Sequence, residues 1–329
     1  MAVADSKKVV VAALAGNVAI AICKLTAALL SHSTATLAEA AHSVADSGNQ
    51  ALLLLGIGLA LKPADEDFPF GRAAERYFWP FVVALMLFSL GGTFAIVEGV
   101  HRLIAGPSAA EIAAKYVQIA GVRFQSVYLS YGVLGASFFF EAMSFRVAYR
   151  EFQIIAKGKP IIEAIFDARD PTVPLVLAED TTALIGLGIA LAAVILSHVT
   201  GNFWWDPLGS VLIGILLAAV SVILARVTHA LLIGKSVLEE DRMRILDIVQ
   251  KVPGVDKVTQ LLAMHLGPDV VIVALKIAFR RTSSVEEVEA TTNAMEKDLR
   301  EAMPELVKIF VEADSKGDGR GIHAWEKHA

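Results

Sequence analysis

The stretch Ala38 to Gly58, AEAAHSVADSGNQALLLLGIG, reads as a membrane-crossing helix that carries His42 and Asp46 four residues apart. About 20 predominantly apolar residues suffice to span a bilayer as a helix. Spacing of four puts both side chains on one face, one turn above the other. An ionisable group at bilayer depth costs roughly 2.5–3.5 kcal/mol even on the lenient insertion scale, so such groups mark a pathway, a pairing or a ligand task. An imidazole and a carboxylate on one face suit a divalent cation.

Working outward, the 329 residues are 55% hydrophobic and 19% charged, with a mean hydropathy of +0.59. A water-soluble chain of this size could not bury so much apolar surface, so lipid is expected to be its solvent over much of its length. Apolar runs near 9–30, 38–61, 80–104, 125–149, 173–198 and 207–233 predict six transmembrane helices. Lys7 and Lys8 precede the first, Lys62, Arg72 and Arg76 follow the second, and Arg146, Arg150, Lys157, Lys159 and Arg169 follow the fourth. The alternate connections, 31–37 and 198–206, carry no Lys or Arg. This bias predicts both termini in the cytoplasm. Trp79 with Tyr77, and Trp204 with Trp205, are expected at the membrane interfaces. The N-terminal MAVADSKKVV shows no convincing cleavage site and is read as the lead into a first span.

After Gly234 the hydropathy falls. The segment 234–314 is expected to form a compact α+β unit in the order αββαβ, with 315–329 as a polar, flexible tail. Its first helix lies in SVLEEDRMRILDIVQKV and stops at Pro253-Gly254, and its strands in VDKVTQLLAMHLG, DVVIVALKIAF and LVKIFVEAD. Its second helix opens at Ser283 or Ser284, with Glu286 or Glu287 as the capping-box partner. From residue 234 onward 14 Lys plus Arg stand against 17 Asp plus Glu, which argues against a nucleic-acid partner. The single cysteine, Cys23, excludes a disulfide framework and a Cys-rich zinc cluster.

One face of one helix cannot complete a coordination shell, so further ligands must come from elsewhere. The fifth run, VPLVLAEDTTALIGLG, supplies Glu179 and Asp180. Adjacent helical residues point roughly 100° apart, so one of the two is expected to face His42 and Asp46, with Asp180 preferred and Glu179 second. Glu141 is expected to pair with Arg146 near the membrane edge, and His265 to be a packed or edge strand residue rather than a regulatory metal site. Asn17, Asn49 and Gln50 are expected in interhelical hydrogen bonds. A Ser-His-Asp grouping, a phosphate-binding glycine loop and HExxH are all missing, which disfavours an enzyme.

The stretch GNVAIAICKLTAALLSHSTATLAEAAHSVADSGNQ resembles the first two helices of the cation diffusion facilitator family, including a first-helix Asn and Lys and a His-Ser-x-x-Asp ligand helix. KPADEDFPFGRAAE, Lys62 to Glu75, is similar to the family's Pro-Phe-Gly cytoplasmic loop, and IVEGVHRLIAGPSA to the end of its third helix. IGKSV is similar to its joint with the cytoplasmic domain, and the αββαβ segment to its dimerisation domain. Many members carry His-x-x-x-Asp in the fifth helix, whereas Val176 stands four before Asp180 here; the Glu179-Asp180 pair resembles the zinc transporter nine-like branch.

What the resemblance implies is a homodimeric antiporter of a cell, or inner, membrane. It would export a divalent metal cation, zinc or else Mn, Fe or Co, in exchange for protons, with the metal as substrate and no cofactor. The expected ligands are His42, Asp46 and Asp180, with Glu179. The alternative is a non-transporting membrane subunit that pairs with a competent homologue.

Overall fold

The structure is a computed structural model and describes residues 2–31, 34–106, 116–119, 122–280 and 282–314. The expected tail, 315–329, lies outside them. The chain divides into two compact units, residues 1–229 and 230–329.

Among the described residues, the first unit and its last helix's short continuation give six long helices. They are α1 (Ala2–Ser31), α2 (Thr34–Ala60), α3 (Glu75–Ala105), α4 (Ser126–Ala156), α6 (Thr172–Thr200) and α7 (Trp205–Leu232), with the short α5 (Ile161–Asp167) between α4 and α6. Among the described residues, four stretches are long and apolar enough to cross a membrane: Ser6–Thr26, α3, α6 and α7. The other two long helices, α2 with 27 residues and α4 with 31, carry more of the polar residues. At 1.5 Å per residue each still reaches about 40 Å or more, beyond the ~30 Å hydrocarbon core.

Outward-facing large apolar side chains show which solvent the bundle needs: Phe94 is 65% exposed, Phe139 60% and Ile215 53%. An apolar surface shared among several helices is stable facing lipid and not water. Inside, Val10, Leu53, Val83, Phe152, Leu175 and Val176 form a buried core. Close approach of α3 and α7 depends on glycine. A Cβ on Gly92 would stand 2.9 Å from the Ala218 backbone nitrogen, and one on Gly214 would stand 2.8 Å from the Gly92 carbonyl oxygen. Small residues that let backbones meet are how helices gain packing where lipid removes the hydrophobic drive.

Three features depart from the expected pattern. Helix α3 widens into a π-helical stretch at Leu87–Thr93, a register change often found where a helix borders a functional site. A two-stranded antiparallel hairpin, β1 (Tyr116–Ile119) with β2 (Val122–Gln125), lies between α3 and α4. Tyr77, expected at the interface, is 1% exposed and packs inward; Trp204 is exposed.

The second unit contains α8 (Glu239–Lys251), β3 (Val255–Gly267), β4 (Val270–Phe279), α9 (Val285–Ala302) and β5 (Leu306–Ala313), the order αββαβ. Its sheet order is β3-β4-β5, with β3 and β4 antiparallel and β4 and β5 parallel. Val271, Val273, Leu275 and Ile277 of β4 recur at period two and are all buried, and Ile245, Val249, Met295 and Leu299 of the helices belong to the same core. Gly254, at φ +101°, turns the chain between α8 and β3 where an L side chain would be strained. Ser284 caps α9, and Glu287 completes the capping box.

Candidate metal site

A cavity of about 280 Å³ opens inside the helical unit, and all six long helices contribute to its wall. On α2 the helical repeat brings Asp46 and Gln50 to it one turn apart. From α1 come Asn17 and Lys24, and from α4 comes Glu141. Helix α6 supplies both Glu179 and Asp180. Four carboxylates therefore meet one basic residue in the wall, a balance that suits a cation.

One of the adjacent α6 acids is expected to face His42 and Asp46; both line the cavity, with Asp46. The cavity wall takes in several adjacent positions of α6, Glu179, Asp180 and Thr182 among them. Asp180 is 3% exposed and accepts a hydrogen bond from Ser144 Oγ at 2.7 Å. Glu179 accepts through Oε2 from Gln50 Nε2 at 3.0 Å, and Asn17 Nδ2 donates to Gln50 Oε1 at 3.0 Å. The second oxygen, Glu179 Oε1, is buried and has no hydrogen-bond partner. A buried acceptor left unpaired costs roughly 1–3 kcal/mol, more when charged, and calls for an explanation.

The reading of Glu141 is corrected. Rather than pairing with Arg146, which is exposed, it lines the cavity, and its charged neighbours there are Asp180, Asp46 and Lys24. His42 lies on α2, but its side chain falls outside the described residues. Val176, four before Asp180, is fully buried in the apolar core, so this position offers the cavity no ligand. Among the described residues, no three His, Cys, Asp or Glu side chains stand close enough to hold one ion together. The acids share a cavity without converging on a point.

The expected interhelical role of Asn17 and Gln50 is met by their mutual bond, while Asn49 lines the cavity. Ser144 escaped sequence reasoning because a serine in an apolar helix gives no sign of its partner. In the second unit His265 is 4% exposed, on β3.

Residues 10–233 match the family described as the cation efflux transmembrane domain, and residues 237–316 match the cation efflux protein cytoplasmic domain. The chain belongs to the cation efflux family. This is the cation diffusion facilitator family that the sequence resembles, a family of multi-pass membrane proteins.

Its similar proteins include metal tolerance protein C4 of Arabidopsis thaliana, 32% identical over 88% of this chain and 58% of that protein. The proton-coupled zinc antiporter SLC30A9, mitochondrial, of Mus musculus is 28% identical over 92% of this chain and 50% of that protein. The manganese efflux system protein MneP of Bacillus subtilis is 26% identical over 39% of this chain and 43% of that protein. The cation efflux chain described here thus spans between half and three fifths of the length of the first two.

Proposed function

We propose that this cation efflux chain carries a divalent metal cation out of the cytoplasm in exchange for protons. Asp46, Glu179 and Asp180, with His42, are its metal ligands. The observation that carries the reading is the carboxylate-lined cavity enclosed by lipid-facing helices, in which Glu179 Oε1 lacks a partner. Carboxylates and imidazole bind metal only when deprotonated, so metal and protons compete for the same lone pairs. Acidification on the far side then weakens the grip and releases the ion.

Because the four acids share a cavity without meeting at one point, a closing movement of the helices that carry them would complete the shell. Rocking of one part of a bundle against another around a fixed site is the usual form of alternating access. Zinc is the first substrate to test, followed by manganese, iron and cobalt. An oxygen-rich donor set discriminates among these ions chiefly by geometry and availability. The zinc antiporter and the manganese efflux protein among the similar proteins support the first two of these ions. We further propose a homodimer joined through the membrane and C-terminal units, with both termini cytoplasmic and the inner membrane as its location.

The deciding experiment reconstitutes the purified chain into liposomes, imposes a pH difference and measures uptake of each ion. The expected outcome is metal-dependent flux that collapses when the proton gradient is dissipated and disappears in Asp46→Ala. Flux insensitive to the gradient would remove the proton coupling. Absence of flux for every ion would favour the non-transporting subunit.

A further inference from the structure

Gln50 is 2% exposed and both ends of its amide are engaged. Its Oε1 accepts from Asn17 Nδ2, and its Nε2 donates to Glu179 Oε2, both at 3.0 Å. A carboxylate at bilayer depth that is ionised can only accept, so the NH₂ end of Gln50 must face Glu179 and its carbonyl must face a donor. Asn17 is that donor. Three helices, α1, α2 and α6, are thereby linked through one chain of hydrogen bonds with a defined direction. At its far end Glu179 has one oxygen held and the other, Oε1, buried without a partner on a side chain that lines the cavity.

The neighbouring acid differs. Asp180 Oδ2 is bonded to Ser144 on α4, which ties α6 to α4. The two adjacent α6 acids are thus held by different helices.

We infer that Gln50, oriented by Asn17, is a positioning residue that aims Glu179 Oε1 at the transported cation. The inference rests on the metal-transport reading and deepens it, because it makes Glu179 a donor from α6 and identifies the group that presents it. Partners that orient a metal-binding carboxylate change metal affinity by 10–100-fold when removed. The same link bears on conformational change: a rocking movement of α6 against α2 would part Gln50 from Glu179 and release the carboxylate from its pose.

The test measures Zn²⁺ and Mn²⁺ binding to the purified full chain in detergent by equilibrium dialysis, beside flux in liposomes. Gln50→Ala is expected to raise the dissociation constant about tenfold or more. Asn17→Leu, which leaves Gln50 in place but frees its orientation, is expected to raise it severalfold. In a Glu179→Ala background, Gln50→Ala is expected to change binding by less than about twofold, because its effect runs through Glu179. A merely structural Gln50 would instead weaken binding equally with and without Glu179, and that result overturns the proposal. So does Gln50→Ala, or Asn17→Leu should the former not fold, binding within twofold of the parent chain. Binding that obeys this cycle without any flux would refute transport and leave the positioning role standing. A parent chain that binds neither ion would overturn both.

Discussion

A place just ahead of α6 and one within it, ten residues apart, treat a buried acid in opposite ways. Asp170, just before the helix begins, is 8% exposed and saturated. Its Oδ2 accepts from the Arg76 guanidinium and from Ser6 Oγ, and its Oδ1 accepts from the Thr172 backbone N–H at 3.1 Å. An ion pair and three hydrogen bonds fall together there, at the positive end of a helix dipole. At Glu179 and Asp180 the donors are an amide and a hydroxyl, and one oxygen is left unpaired. The first arrangement bonds its acid directly to a guanidinium; in the second, the donors bonded to the two acids are neutral, and Lys24 stands elsewhere in the cavity wall. A buried acid bonded to a guanidinium and an N–H has its charge matched by the protein, whereas one bonded only to neutral donors has not.

This contrast breaks if both places respond alike to mutation. The largest expected effect is on transport: Glu179→Gln or Asp46→Asn drops metal-dependent flux to background. Stability of Glu179→Gln, followed by thermal unfolding in detergent, stays level or rises, since it removes a buried acid whose Oε1 has no hydrogen-bond partner. Arg76→Ala should do the reverse. Breaking a buried pair by deleting one partner costs about 3–5 kcal/mol. Unfolding should therefore come far earlier, while metal binding by the folded fraction remains close to that of the parent.

Ser144→Ala sharpens the comparison at smaller scale. It removes one hydrogen bond to a buried carboxylate and should lower stability by about 1–2 kcal/mol, read from denaturant unfolding.

The smallest effect concerns Asp65, an exposed acid in the connection between α2 and α3. It accepts from the Phe68 backbone N–H at 2.7 Å and from Arg72 Nη2 at 3.0 Å. The Phe68 N–H first, and then Arg72, hold its carboxyl below the ordinary value of 3.8. A lowered folded pKa means that the turn's contribution is present above the unfolded pKa and fades as pH falls through the folded one. Phe68 amide protection, corrected for intrinsic exchange, should thus be constant from pH 7 to about pH 4 and decline below. Asp65→Asn should flatten that decline.

Much of this was legible from side-chain periodicity. Runs of about 20 apolar residues marked the helices because a spanning backbone must satisfy its own hydrogen bonds, and period-two burial marked β4 in the second unit. The π-helical stretch of α3, which includes the Gly92 that packs closely on Ala218 of α7, left no signal in the side-chain pattern. The hairpin β1-β2 fell between two spans where hydropathy carries little signal. Glu141 was misread because Arg146, five residues on, looked like a partner, but five residues on a helix are almost one and a half turns, and the two side chains diverge.

The amino-acid sequence by itself determined which solvent each part of this chain meets, since apolar content and its period decide whether a helix faces lipid or a sheet closes on a core. It also marked His42, Asp46, Glu179 and Asp180 as anomalies, because charge at bilayer depth is costly wherever it occurs. Only the tertiary structure decided that Asp46, Glu141, Glu179 and Asp180 share one cavity, and that Gln50 and Asn17 hold one of them while Arg76 saturates Asp170. Those pairings join residues from 33 to 129 positions apart along the chain, and no local pattern encodes which helices become neighbours.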